Sequence, residues 1–264
     1  MKPIKIDLSS EFKEVEIMPV ADYHWADPNS DHDAIMEDIA YIRDNDNVFC
    51  VLNGDLLNCA IASSVSDVYA RITPMEELRI CAELFKPIAH KILCVVPGNH
   101  ERRHYRTNGI DITELMCREI GIADQYSPTT ALLFVRVGEQ SGKFHGRKVP
   151  YVIHVSHGNG GGRKEGAKIQ RLVELSLVVD ADIYICGHSH LPALLPDSFF
   201  RSNANNSSVT QVERLYVNTS SKLKYSNSYG EVFGMKPNST ATPLITLCGT
   251  HKEFGGSITC RKKS

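Results

Sequence analysis

Eight side chains able to hold a metal or move a proton fall in five short clusters. These are Asp22-Tyr23-His24, Gly54-Asp55, Gly98-Asn99-His100, His157-Gly158 and Gly187-His188-Ser189-His190. Aspartate oxygen, asparagine carbonyl oxygen and imidazole nitrogen suit Mn, Fe, Zn or Ni. An all-oxygen calcium site needs more carboxylates, and structural zinc needs a thiolate set that the clusters lack. Asp22, His24, Asp55, Asn99, His157, His188 and His190 make seven candidate ligands. One ion rarely takes so many with so much nitrogen, whereas two divalent ions sharing a carboxylate would use them naturally. Such a pair clamps an in-line displacement at phosphorus or carbon.

Each cluster follows a short apolar run, at 15–21, 48–53, 92–96, 151–156 and 182–186. Runs of this length, rich in β-branched residues, read as strands buried on both faces. In an α/β sheet, ligands gather at the carboxyl ends of the strands. Five ends converging on one place would make the site. Between the strands, Ile35, Ile39 and Ile42 recur at helical spacing and predict a helix over 31–43, with Ser30 as its N-cap. Pro74 opens a helix to residue 85. A third covers 111–120, closed by Gly121, and a fourth covers 167–178. Residues 63–73 read as a loop or irregular helix, and 101–109 as a loop rich in Arg and His. Strands are expected at 131–137 and 149–156. A hairpin of 194–200 and 209–217 turns through the polar stretch 202–208, and a late strand covers 243–247. β-α units followed by antiparallel strands imply an α/β fold of two packed mixed β-sheets with helices outside. No repeat or linker divides the chain, so a single domain over 1–264 is expected.

The 264 residues carry a net charge of −2, which gives no global attraction to nucleic acid or membrane. An anionic substrate must be drawn locally. Arg102, Arg103 and Arg106 follow His100 directly and could form a phosphate-contacting rim. The glycine-rich stretch 158–168 could be a flap in which Arg163 or Lys164 meets an anion, although its spacing is not that of a nucleotide-binding P-loop. Tyr23 and Trp25 flank His24 and could stack on a base or pack in the core. His157 precedes a glycine at a strand end and is preferred as ligand over the mid-strand His154, a supporting or core residue. His32, His90, His145 and His251 read as solvent-facing. No apolar run spans a bilayer and the first residues hold no signal-peptide core, so a cytoplasmic protein without membrane contact is expected. The eight cysteines form no C-x-x-C pair, and Cys50, Cys94 and Cys186 lie within apolar strands, as reduced thiols do.

The ordered set D-x-H, G-D, G-N-H, H-G and G-H-x-H, from Asp22 to His190, resembles the calcineurin-like metallophosphoesterases. Its compact layout looks closer to small bacterial and phage-encoded members than to the large capped nucleases. The resemblance implies a four-layer α-β-β-α sandwich holding two divalent ions, Mn most readily, with Fe, Zn or Ni as alternatives. One ion would sit on Asp22, His24, Asp55 and His190. The other would sit on Asp55, Asn99, His157 and His188, with Asp55 bridging. His100 would face the substrate and assist the leaving group. Many members orient that histidine with an acidic residue where this chain has Asn58, so Asn58 is expected to hold His100. The tetrapeptide through Glu101 is similar to that of Ser/Thr protein phosphatases, but the aspartate-arginine-glycine run they carry after G-D is absent. The implied activity is metal-hydroxide attack on a phosphate ester, read here as a phosphodiester in a nucleotide or nucleic acid. A phosphomonoesterase on a small substrate and a non-catalytic metal-binding scaffold are the alternatives.

Overall fold

The apolar runs do form strands, and most are buried along their length. A computed structural model describes residues 1–61, 64, 72–160, 162 and 164–259. In chain order the elements begin β1 (Lys2–Asp7), β2 (Glu14–Val20), α1 (His32–Asp44), β3 (Val48–Leu52), α2 (Pro74–Phe85) and β4 (Ile92–Val95). There follow α3 (Arg102–Asn108), α4 (Ile112–Glu119), β5 (Ala131–Val137), β6 (Val149–Val155), α5 (Glu165–Glu174) and β7 (Ile183–Cys186). The chain continues through β8 (Ala193–Asn203), β9 (Ser208–Asn218), α6 (Tyr229–Val232), β10 (Pro243–Cys248) and β11 (Phe254–Ile258).

Two mixed sheets result. One runs β11-β10-β2-β3-β4 and the other β1-β5-β6-β7-β9-β8. β2, β3 and β4 are mutually parallel, as are β6, β7 and β9, so their carboxyl ends share one edge of the sandwich. Between the sheets lie Val15, Ile17, Val51 and Cys94 from one side and Leu133, Ile153, Val155 and Ile185 from the other. The outer face of the first sheet packs on Ile35, Ile39 and Ile42 of α1, Leu78 and Phe85 of α2 and Met116 of α4. Leu172 of α5 covers Tyr184 and Tyr216 on the outer face of the second. Helices therefore flank both sheets, the α-β-β-α sandwich. Burying each large aliphatic side chain contributes about 1.5–3 kcal/mol, which makes this interior the main source of stability.

α2 is written locally. The Thr73 hydroxyl accepts from Glu76 N at 3.3 Å while the Glu76 carboxylate takes the Thr73 N–H at 2.7 Å, and Pro74 fills the first turn. Other elements differ from expectation. Asp31, not Ser30, caps α1, its carboxylate reaching Ala34 N at 3.5 Å; the Ser30 hydroxyl donates to Tyr23 O. Residues 102–108, expected as a loop, form α3. That helix buries none of its residues, so no apolar periodicity announced it. α5 starts and ends earlier than expected, with a 3-10 turn at Leu175–Leu177. β1 and β11 were not foreseen, and the late strand β10 joins the first sheet beside β2. The expected loop over 63–73 lies largely outside the described residues. No described helix is long and apolar enough to cross a membrane.

Candidate metal centre

Every strand end expected to carry a ligand opens on the same cavity edge. β2 delivers Asp22 and His24, β3 delivers Asp55, and β4 delivers Asn99 and His100. β6 delivers His157, and β7 delivers His188 and His190. Asp22, His24, Asp55, His188 and His190 all have positive φ, between 45° and 64°. Asp and His tolerate this region better than most residues, but each such residue costs on the order of 1 kcal/mol or more. Cross-connections impose it. Asp22 N donates to Gly54 O and His24 N to Asp55 O, each at 3.0 Å. The loops also interlock tightly. A Cβ on Gly98 would lie 2.0 Å from Asp55 Oδ1, so only glycine fits there.

Two buried glutamates, neither of them expected in a structural role, hold the loop after β3. Glu101 accepts the amides of Asp55, Leu56 and Leu57, and that of Gly98, at 2.7–3.0 Å. Glu77 accepts those of Asn58 and Cys59, and of Ala26, at 2.6–3.0 Å. Between them they satisfy five successive amides, 55–59, that no strand or helix could. Burial, and then the Asp55 charge, push Glu101 up to about 7, and burial raises Glu77. The tetrapeptide ending in Glu101 was the available signal; Glu77 carried none beyond an acidic residue in a first helical turn.

The two aspartates share a pattern. Asp22 Oδ2 accepts His188 N at 3.0 Å, and its other oxygen, buried, has no hydrogen-bond partner among the described residues. Asp55 Oδ1 accepts His100 N at 2.8 Å and leaves Oδ2 to the histidines. Asp22 Oδ1 lies 3.2 Å from His190 Nε2, and His190 Nε2 lies 3.4 Å from His24 Nε2. Asp55 Oδ2 lies 3.3 Å from His157 Nε2, 3.8 Å from His100 Nε2 and 4.0 Å from His24 Nε2. Asn99 Oδ1 lies 3.2 Å from His157 Nε2 and 2.7 Å from His188 Nδ1. Asp22, His24 and His190 thus form one potential ligand group, Asp55, His157 and His188 another, and His24, Asp55 and His100 a third between them.

These donor atoms fit a cation. His157 Nδ1 donates to Asn53 O at 2.8 Å and His188 Nε2 to Gly160 O at 3.1 Å. In the neutral rings, His157 Nε2 and His188 Nδ1 then present lone pairs to Asn99 Oδ1, itself an acceptor. Acceptor facing acceptor at such distances is the arrangement of ligands around one positive charge. Protonation states agree in part. Burial, then the neighbouring His100, hold His24 well below 6.5, and burial and His157 lower His188. Burial opposes charge on His157, but Asp55 and Asp22 prevail and carry it up to about 10. Burial likewise opposes the Asp55 charge, yet the surrounding histidines, His157 foremost, keep its pKa well below 3.8. A proton on His157 therefore stands where a cation would.

His100 lies beside this cluster, but Asn58 does not hold it as expected. His100 Nδ1 donates to the Asn58 backbone carbonyl at 2.9 Å, while the Asn58 side-chain amide is buried with no hydrogen-bond partner among the described residues. The reason is local: Glu77 fixes the Asn58 N–H, and the carbonyl then faces the imidazole. Arg103 Nη2 meets His100 Nε2 at 3.0 Å. Burial lowers the His100 pKa, Asp55 opposes this, and Arg103 lowers it again.

A cavity of about 410 Å³ opens from the ligand cluster, and His24, Asp55, Asn99, His100, His188 and His190 line it. Of the basic residues singled out in the sequence, Arg103 alone lines it among those described. Arg102 turns to the Pro128 carbonyl. Arg106 is exposed on α3 outside the cavity lining, and Lys164 is exposed just before α5. Arg163 lies outside the described residues. Among the described residues the cavity's other cations are Lys168, Arg171, Lys224 and Lys236. Lys168 and Arg171, three apart on α5, were legible as one helix face; Lys224 and Lys236 gave no local signal. Tyr23 and Trp25 are packing residues. Tyr23 stacks on Phe85 and donates to Asp38 at 3.0 Å, and Trp25 stacks on the exposed His32. His90, His145 and His251 are exposed as expected.

Fold and donor set together are those of a metallophosphoesterase sandwich with candidate metal-ligand groups at its strand ends. Residues 17–192 match the family model described as calcineurin-like phosphoesterase, and the chain belongs to that family. Among solved structures it is similar to a predicted phosphoesterase from Streptococcus pneumoniae TIGR4, with 15% identity, 94% of this chain and 99% of that one covered, and a TM-score of 0.36. It is also similar to Vps29 from Entamoeba histolytica. A single mutant of that protein shows 11% identity, 93% and 99% coverage and a TM-score of 0.40. Its wild type complexed with zinc shows 10% identity, 93% and 98% coverage and a TM-score of 0.36. No curated protein matches the chain.

Proposed function

We propose that the chain is a two-metal phosphodiesterase acting on a nucleotide or nucleic acid. The observation that carries this reading is the pairing of two aspartates, each with one oxygen fixed by a backbone N–H and the other turned toward the imidazoles. Asp22, His24, Asp55 and His190 would hold one divalent ion, and Asp55, Asn99, His157 and His188 the other. Such ions, Mn²⁺ foremost, supply charge stabilisation at the phosphate oxygens and lower the pKa of water.

The chain's own residues do the rest. The short bonds among the loops fix the ligand oxygens before substrate arrives. Lys168, Lys224 and Lys236 draw an anion into the cavity. His100 faces the departing oxygen with Nε2. With Nδ1–H bound to the Asn58 carbonyl, Nε2 is the atom that takes up and delivers a proton, and Arg103 donates to it in the resting state. A diester is favoured over a monoester because the cavity extends well beyond the ligand cluster, giving a second ester group room.

The test is hydrolysis after chelation and reloading. Metal-free protein is expected to be inactive and to recover with about two equivalents of Mn²⁺. It should prefer bis-p-nitrophenyl phosphate to p-nitrophenyl phosphate by at least roughly tenfold in kcat/KM. A reversed preference would make the protein a monoesterase, and metal uptake without turnover would make it a scaffold.

A further inference from the structure

The family match ends at residue 192, but much of the cavity lining comes from 221–238. That segment is anchored at its start. Lys222 N donates to Asp22 O at 3.1 Å, Asp31 N to Lys222 O at 2.7 Å, and Lys224 N to Asn29 O at 2.8 Å. Beyond the anchor it folds on itself. Tyr225 Oη donates to Met235 O at 2.6 Å, and Met235 N donates to Gly230 O at 2.8 Å. Lys236, also in the lining, then pairs with Glu165 in the first turn of α5 at 2.7 Å. The pair joins the segment to α5, the helix that carries Lys168.

Two properties follow. Leu223, Tyr225 and Met235 give the wall an apolar and aromatic surface, with the amides of Asn29 and Asn238 nearby. Such a surface fits a planar ring with polar edges, by stacking and by adaptable thioether contact. The second property is the cavity's limited size. A polymer cut at an internal linkage has to enter and leave, whereas about 410 Å³ suits one compact ligand.

We propose that 221–238 and α5 form a nucleoside subsite, so that the substrate is a nucleotide-sized phosphodiester and not an internal linkage of a nucleic acid. The choice of substrate rests on the phosphodiesterase reading above; the subsite itself does not.

Binding and turnover therefore test it separately. Calorimetry on chelator-treated protein compares the four deoxynucleoside 5′-monophosphates with deoxyribose 5-phosphate. At least one nucleotide is expected to bind tenfold or more tightly than the sugar phosphate, and Tyr225→Ala to remove most of that gain. Met235→Ala is the second variant, and circular dichroism confirms folding of each. With Mn²⁺ restored, the kcat/KM ratio of thymidine 5′-p-nitrophenyl phosphate to bis-p-nitrophenyl phosphate is expected to fall at least tenfold in Tyr225→Ala. A base that adds less than twofold to binding for all four nucleotides would overturn the subsite. Circular single-stranded DNA cut as efficiently per linkage as the thymidine ester would overturn the substrate class. Hydrolysis of neither ester would remove the phosphodiesterase reading while the calorimetry still decides the subsite.

Discussion

His154 and His157 stand three positions apart on the strand β6 and its continuation, yet the two regions they mark are opposites. His154, next to last in β6, lies against Tyr184, with both ring nitrogens buried and without a hydrogen-bond partner among the described residues, and burial lowers its pKa to about 4. His157 meets Asn53 O, Asn99 and Asp55, and the aspartate charges push its pKa up to about 10 against burial. Strand parity separates them. Ile153 and Val155 face the space between the sheets, so 157 continues inward while 154 points to the α5 side. The inward line runs out of aliphatic neighbours at the sheet edge, where the other sheet's loops bring carboxylate and amide oxygens instead. A histidine's role here is thus set by which face and which end of a strand it occupies.

Three changes probe that contrast, from the strongest expected effect to the weakest. Asp55→Asn removes a charge the edge region is built around. We expect both metals to be lost together and activity to fall by at least roughly 10³-fold, given the several kcal/mol a metal pair supplies. Elemental analysis checks it, and two ions per chain in the variant would break the bridging assignment.

His100→Asn sits at the boundary of the cluster. It is expected to keep its metals and lose about 10²–10⁴-fold on an ester with an alkoxide leaving group, and clearly less on a nitrophenyl ester that leaves unaided. Asn58→Ala is its control. Because the Asn58 carbonyl and not its amide touches His100, the variant should lose less than about threefold, in keeping with the near-neutrality of removing an unpaired polar group. Equal losses on both esters, or missing metal, would make His100 a ligand.

His154→Leu should change stability alone. Its native pKa of about 4 lies below the usual 6.5, so the unfolded chain binds the extra proton and stability falls as pH drops from about 6.5 to 4. Between pH 7 and pH 5 that linkage amounts to about 2 kcal/mol. Urea unfolding of the leucine variant should show a pH dependence smaller by that amount, with metal-dependent turnover retained. An unchanged pH dependence would mean His154 is solvated.

The same division separates what could be read in the chain from what could not. The sequence by itself determined the five strands that carry the site, because each is a short apolar run ended by Gly, Asp, Asn or His; β1 and β11 carry no such mark. It determined α2, because Thr73, Pro74 and Glu76 define its start within four residues. It also determined which side chains stand at the strand ends, since strand period and chain order are local properties. Tertiary structure alone decided the partners. Glu77 reaches Asn58 across 19 positions, and Glu101 reaches Asp55 across 46. Arg103 faces the cavity while Arg102 and Arg106 on the same polar helix do not. Besides Arg103, the cavity's cations among the described residues come from α5, within the family match, and from 221–238, beyond it. Such contacts depend on where two distant segments dock, and docking is driven by apolar burial summed over both sheets. A carboxylate or guanidinium in the sequence carries no mark of the backbone amide or histidine that burial will set beside it.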